Sequence, residues 1–367
     1  MKKRLNKLVP KRLRRKKSGA SVQQNVPRIT NETVAEHREE VLKSARKYIY
    51  PLQHSKHRIV LISSGLFILT IVAFFAYCTL ALYRFQTSST FVYRVTQVIP
   101  FPIARTGGNF IAYENYLFEL RHYTHYYETQ LKVNFENGKD KEQLNQFRKR
   151  ALDKVVNDAY VKQLALEHNI SVSDQEVNDQ ITIARNQQRL GSGEKVFEDV
   201  IKDYWGWTVD DFKRSLRTTL LAQKVAAKLD TETTTKAEAA LAELKAGAVF
   251  ADVAQKYSEG AFKDNGGEVG FAIDRTSKEL SALATDALFK LQPGQTSEII
   301  NTGYTLEIYR HIETNGDKIR ASRIVLNFKS IDTFVNDLKD KQKFTQYIKL
   351  PETAPVEEQP VPEQAPL

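Results

Sequence analysis

The chain has 367 residues, 41% of them hydrophobic and 27% charged, with one cysteine and a formal net charge of +10. That composition suits folded domains. It excludes a fully disordered chain and a polytopic membrane protein, and a lone cysteine excludes a disulfide framework or a Cys-based zinc or iron–sulfur centre. The charge is uneven: residues 1–58 carry 17 Lys/Arg against 4 Asp/Glu, a net of +13, which leaves the remaining 309 residues at −3. By charge, the body is not a nucleic-acid binder, and no nucleic-acid partner is expected for it.

The tail opens MKKRLNKLVPKRLRRKK, ten basic residues in seventeen with no aromatic residue among them to stack on bases. It reads as a topology signal and solvated arm, the alternative being a patch for acidic lipid or nucleic acid. From Ile59 to Tyr83 there are 25 residues without a charge. As a helix, such a run spans about 37 Å, enough to cross a hydrocarbon core of about 30 Å. Lys56 and Arg58 join the basic clusters before it, and only Arg84 and Arg94 follow soon after. The positive-inside rule therefore predicts a single-pass membrane protein with a cytoplasmic N-terminus and extracytoplasmic C-terminal domains. Cys78 falls within the span, so the body after it must be held together by packing alone.

Residues 84–108, with QVIPFPIARTGGNF at their end, read as a Pro- and Gly-punctuated linker. Helix-period runs follow at about 109–130, 141–168, 174–190, 194–204 and 209–229. Ser173 with Glu176, and Thr208 with Asp211, have capping-box spacing. In the 141–168 run, Leu144, Phe147, Ala151, Leu152, Val155, Ala159, Leu164 and Leu166 form one apolar stripe that needs partner helices. Residues 109–229 are thus expected to be an all-helical domain. After Thr231 the pattern changes to two short helices around Gly247, a strand at EVGFAI, a helix at KELSALATDALFKL and strands at GQTSEII and TGYTLEIYRHI. The β-rich runs 303–313 and 317–328 flank Asn315-Gly316, a strong hairpin signal. Residues 331–349 read as a last helix, and the Pro/Glu tail from 350 has nothing to bury. The fold class is α+β: one N-terminal transmembrane helix, a helical domain at 109–229, and an antiparallel sheet with helices at 230–328.

The catalytic inventory is thin. His122 and His125 sit one helical turn apart but lack a third ligand at matching spacing, and the neighbouring Tyr123, Tyr126 and Tyr127 favour an aromatic packing face. Gly191-Ser192-Gly193-Glu194-Lys195 lacks phosphate-loop spacing and reads as a loop. No nucleophile elbow, zinc-protease helix or dinucleotide fingerprint occurs, which argues against a hydrolase or an oxidoreductase. No metal or cofactor is expected.

The stretch Lys236–Arg310 resembles a parvulin-type (PpiC) peptidyl-prolyl isomerase domain. The resemblance is carried by ALAELKAGAVFADVAQKYS, EGAFKDNGGEVGF and LATDALFKLQPGQTSEIINTGYTLEIYR, with Gly247, Phe250, Ala254, Ser258, Gly266, Gly267, Gly270, Leu291, Pro293, Gly294 and Ser297 at matching positions. Upstream, ALEHNISVSDQEVNDQI and VDDFKRSLRTTLLAQKVAAKL resemble the helical N-terminal chaperone domain of SurA/PrsA-type foldases, so that the whole resemblance covers about residues 105–330. It implies a membrane-anchored extracytoplasmic foldase acting on unfolded or proline-containing exported polypeptides.

The chain departs from the parvulin pattern at the site. The closing Gly-Tyr-His is Gly303-Tyr304-Thr305, the position usually Cys or Asp matches Gly260, and the proline-pocket Met and Phe fall near Leu280 and Ala284, with Phe271 and Leu288 as further pocket residues. The first parvulin strand, Ala-x-His-Ile-Leu, is absent before the first helix. IRASRIVL at Ile319–Leu326 resembles it, with Arg323 in place of histidine. In parvulins the first and last strands are antiparallel neighbours, so a hairpin at Asn315-Gly316 would join them in reversed chain order, a circular permutation. Thr305, Arg323 and Gly260 then occupy the catalytic positions, with Glu307 on the face of Thr305 and within reach of Arg323. Two functions follow: an isomerase of X-Pro bonds, as the resemblance implies, or a non-enzymatic holdase that keeps an inactive parvulin fold. A third reading is a structural envelope protein whose basic tail holds a cytoplasmic partner.

Overall fold

The computed structural model describes residues 30–49, 52–135, 138–186 and 193–351. The basic opening segment, the Gly191-Ser192 half of the inter-helical loop and the Pro/Glu tail after Pro351 lie outside the described residues. The chain falls into two compact units, Met1–Phe75 and Ala76–Leu367.

The first unit holds helix α1 (Asn31–Ile49) and most of α2 (Leu52–Thr79). With the turn of π-helix at Leu80–Arg84, α2 makes the helix His57–Arg84, long and apolar enough to cross a membrane. Its apolar side chains from Ile59 to Leu69, among them Leu61, Phe67 and Leu69, point outward with no protein cover, whereas Cys78, Ala81 and Leu82 at its far end are buried, the last two in the main core. A core helix buries one stripe, whereas this one exposes leucine and phenylalanine all round.

In the second unit the segment read as a linker is structured. Ser89 caps α3 (Thr90–Val98), and β1 (Pro102–Thr106) pairs antiparallel with β2 (Asn109–Ala112). Ile103 and Ala104 are fully buried, so this hairpin is part of the core. The helix expected from 109 therefore starts as α4 at Tyr113–Thr129. There follow α5 (Gly138–Glu167), α6 (Asp174–Asn186), α7 (Glu194–Trp205) and α8 (Val209–Leu229). Both capping boxes form: Ser173 with Glu176, and Thr208 with Asp211. The α5 stripe packs as expected from Phe147 to Leu164, but Leu166, at the helix end, is 77% exposed. Tyr113, Tyr116, Leu117 and Leu120 of α4 meet Phe147, Leu152 and Val155 of α5 and Val225 of α8 in the main core. A second cluster joins Val177 and Ile181 of α6, Phe197 and Ile201 of α7, and Phe212 and Leu216 of α8 around Trp205 and Trp207.

Beyond α8 come α9 (Thr231–Lys245), α10 (Phe250–Tyr257), α11 (Ala282–Leu288) and a sheet of β3 (Ile300–Asn301), β4 (Thr305–Asn315) and β5 (Lys318–Asn327) in that order. The hairpin expected at Asn315-Gly316 is present, with Asn315 opposite Lys318. One sheet face, Leu306, Ile308, Ile324 and Leu326, packs on α9 and α10 through Ala237, Leu241, Phe250 and Val253. The other buries Tyr309 and Ala321 against Leu280, Ala284 and Leu288. EVGFAI, expected as a strand, makes only two bridges to β5, Glu268 to Ser322 and Ile273 to Ile319. The intervening residues are more numerous on its side than on β5, so it bulges away between the two pairings.

The chain then returns to the helical domain. Helix α12 (Ile331–Lys341) places Val335 in the main core, and β6 (Phe344–Gln346) pairs with β1, so the last helix is shorter than its expected 331–349. The sheet domain is thus an insertion between α8 and α12. Its two connections touch: buried Asp230 caps α9 by accepting from the Thr233 N–H (3.2 Å) and also accepts from the Lys329 N–H (2.8 Å).

Two glycines give a comparison that reads the pairing of β5. Gly267 has φ +82°, and a Cβ there would lie 2.6 Å from the Arg323 carbonyl oxygen; Gly294 has φ +85° with nothing within 4 Å. Gly294→Ala should cost about 1–2 kcal/mol from the left-handed backbone alone, and Gly267→Ala about 2–4 kcal/mol because the loop must also leave β5. Denaturant unfolding of the two variants measures the difference, and equal losses would show that the approach to Arg323 is not made.

Candidate functional site

Alternation along β4 puts Thr305, Glu307 and Tyr309 on one face of the sheet. Across the ladder, Arg323 stands opposite Tyr309 and Val325 opposite Glu307. Burying a carboxylate requires donors, and Glu307, 8% exposed, receives them from its own strand. Thr305 Oγ1 donates to Oε1 at 2.7 Å and the Tyr309 hydroxyl donates to Oε2. Thr302 Oγ1 lies 2.6 Å from Thr305 Oγ1, extending the hydroxyl run toward the surface. Burial, then the charge and hydrogen bond of Glu307, push the Tyr309 phenol well above its ordinary value, with Arg323 acting in the opposite direction. Tyr309 therefore stays a hydrogen-bond donor.

Arg323 does not form the ion pair with Glu307 that the sequence suggested, because the two hydroxyls already hold the carboxylate. Its guanidinium lies over the Phe262 ring, 5.3 Å from the centroid, and its buried Nε has no hydrogen-bond partner. Gly260 sits in the loop that Ser258 pins to β5, through the Val325 N–H donating to Ser258 Oγ at 3.1 Å. A Cβ at Gly260 would meet Val325 at 3.1 Å, so a larger residue there needs Val325 to move. Leu280, Ala284 and Leu288 are 3%, 0% and 0% exposed. They belong to the core beneath Tyr309, and half-buried Phe271, edge-on to Phe262, is the expected pocket residue nearest the surface. The structure thus brings Thr305, Arg323, Gly260 and Phe271 to one region. Sequence reasoning missed Tyr309 and Phe262 there, although Tyr309 follows Glu307 at the same two-residue spacing that placed Glu307.

It also missed a cleft of about 1180 Å³. Trp207, Phe212 and Leu216 line it from the helical domain, and Leu283 and Tyr304 from the inserted domain. Tyr304 is 66% exposed, and Thr302, the outer member of the hydroxyl run, lines the same cleft. His122, weighed as half of a metal pair, instead stacks on Trp207 with ring centroids 4.3 Å apart. Among the described residues, no group of three or more His, Cys, Asp or Glu is placed to hold a metal ion.

Comparison with known proteins agrees with this architecture. Residues 53–226 match the SurA-like N-terminal domain, and residues 220–313 match the PPIC-type PPIase domain. The chain therefore pairs a SurA-like N-terminal domain with a PPIC-type PPIase domain. Among individual proteins, it is 33% identical over 115 residues to the Chaperone SurA of Methylobacillus flagellatus. That match takes in 29% of this chain and only 25% of the relative's length. The PPIC match stops short of β5, the strand that pairs antiparallel with β4.

Burial, then the charges of Lys154 and His125, hold the His122 imidazole down to about 4, so it is neutral in the fold. Against an unfolded value near 6.5, its contribution is fully present above about pH 6.5 and is lost as pH falls toward 4, on the order of 3 kcal/mol. His122→Phe keeps a ring against Trp207 and should flatten the fall in unfolding free energy between pH 6.5 and 4, measured by urea titration at each pH.

Proposed function

We propose that the protein is a membrane-anchored chaperone of unfolded exported polypeptides, in which the parvulin-like domain serves as a holding surface and not as an efficient isomerase. Prolyl isomerisation breaks no bond; the site must favour a twisted amide across a barrier of roughly 18–20 kcal/mol. That requires an open apolar pocket with placed polar groups. The observation that carries the proposal is the state of the matching positions: Thr305 is engaged with Glu307, Arg323 stands where an imidazole is expected, and Ala284 and Leu288 are fully buried. The cleft between the helical and inserted domains, with Trp207, Phe212 and Tyr304 in its walls, supplies an alternative apolar surface for an extended chain. The PPIC-type match favours the second reading, an isomerase with residual activity.

The two readings separate in a proline-peptide isomerisation assay run beside an aggregation-suppression assay. The expected result is suppression without rate enhancement, and suppression that persists at about 0.5 M salt, where the Debye length is only a few ångström. Rate enhancement abolished by Thr305→Val or Arg323→Ala would establish the isomerase instead.

The anchor and orientation rest on the uncharged helix around residues 59–83 and the +13 tail before it. Protease added outside intact cells should degrade the body after Tyr83 and spare an epitope placed in residues 1–58; a protected body would refute this orientation.

A further inference from the structure

The helical domain contains a second cavity, of about 240 Å³, away from the parvulin-like face. Ile111 of β2, Phe118 of α4, and Val155 and Ala159 of α5 make its apolar walls. Glu119, only 7% exposed, also lines it. Among the described residues no donor stands within hydrogen-bond distance of this carboxylate; the Lys154 ammonium approaches only to 3.8 Å. The neighbouring charges are already matched. Lys154 lies 3.1 Å from Asp158, and Arg214 clasps Glu114 through two bonds of 2.7 and 2.8 Å. Burial pushes the Glu119 carboxyl up to about 7 against the pull of Lys154, the cost of holding an under-donated carboxylate out of water.

At the mouth the chemistry differs. Lys162 is exposed there, beside Phe110 and Leu166, which are 63% and 77% exposed. Two large apolar side chains left in water at the rim of a cavity whose buried carboxylate has only the Lys154 ion pair at 3.8 Å define a complementary shape: a cationic head on an apolar stem, flanked by apolar neighbours.

We propose that this cavity takes a lysine or arginine side chain of an extended polypeptide, its head hydrogen-bonded to Glu119, its stem against Val155 and Ala159, and its flanking residues on Phe110 and Leu166. This rests on the holding function proposed above and names the segments that the helical domain selects. A lone apolar side chain would fill the walls but leave Glu119 without a donor. An acidic side chain would meet a buried carboxylate, and acidic segments are therefore rejected. Lys162, in solvent at the mouth, is screened from the buried head and is free to meet a carbonyl of the bound chain.

The test uses the full chain in lipid nanodiscs at pH above 8, where Glu119 is ionised. A labelled, acetylated short peptide carrying one lysine between leucines is compared with its norleucine counterpart. The lysine peptide should bind about tenfold or more tightly, as a charge-assisted bond requires. Glu119→Gln should bring the lysine peptide down to the norleucine level and leave the norleucine peptide unchanged. Equal affinities in the parent protein, or a lysine preference that survives Glu119→Gln, would overturn the assignment. If Glu119→Gln fails to fold, Ala159→Phe fills the cavity from its wall and should abolish the preference, whose survival would again overturn it. A parent protein that suppresses aggregation but binds both peptides equally loses only this inference, whereas one that neither binds nor suppresses aggregation loses the holding function itself.

Discussion

The antiparallel ladder between β4 and β5 is the contact on which the arrangement of the whole body depends. It runs from Thr305 opposite Asn327 to Asn315 opposite Lys318. Because β5 follows β4 through a tight turn, its far end finishes beside the start of α9, where Thr233 Oγ1 donates to the Asn327 carbonyl and Asp230 holds the Lys329 amide. The chain leaves the inserted domain where it came in. Only then can α12 lie on the helical domain and give Val335 to its core, and β6 pair with β1. The same strand supplies both neighbours of the loop at 268–273, so removing it would unpair the sheet on two sides.

That ladder also fixes what the site can do. The strand register sets Arg323 across from Tyr309, two pairs away from Glu307, and a guanidinium there cannot shuttle a proton as an imidazole does. Glu307 finds two hydroxyl donors on its own strand, a local solution that leaves Arg323 to the Phe262 ring. Hydroxyl, carboxylate and phenol therefore form a tie within β4, and Tyr309 is fully buried at its inner end. A buried network of this kind stiffens a strand, and its phenol is held in the protonated form.

Much of this was legible in the residues, for local reasons. Capping boxes announce helix starts through two short-range bonds, so Ser173 and Thr208 located α6 and α8 well. The turn at Asn315-Gly316 is equally local, and the adjoining alternation placed Thr305 and Glu307 on one face. What stayed hidden depends on distant partners. Residues 84–108 carry Pro and Gly like a linker, yet Ile103 and Ala104 are buried because α4, α5 and β6 close over them. Phe344 and Thr345 continue a helical pattern until β1 offers them an edge. At the site, resemblance named Leu280, Ala284 and Leu288 as a pocket, and only tertiary packing put them beneath Tyr309. The cleft has no sequence signature because its two walls come from segments about a hundred residues apart.

Helix α8 borders both of the cavities described above. Ser215 lines both the small cavity at Glu119 and the large cleft at Trp207, so the two adjoin along one helix. On the holding function proposed above, a chain held in one would be presented to the other at high effective concentration, so that two individually weak contacts would act as one stronger one. Weak contacts would suit such a holding function, since each could release separately. The body's net charge of −3 fits that mode, for no long-range field dominates the encounter and the local chemistry of each surface decides what is held. On the same proposed function, the inserted domain is a wall of the cleft through Tyr304 and Leu283.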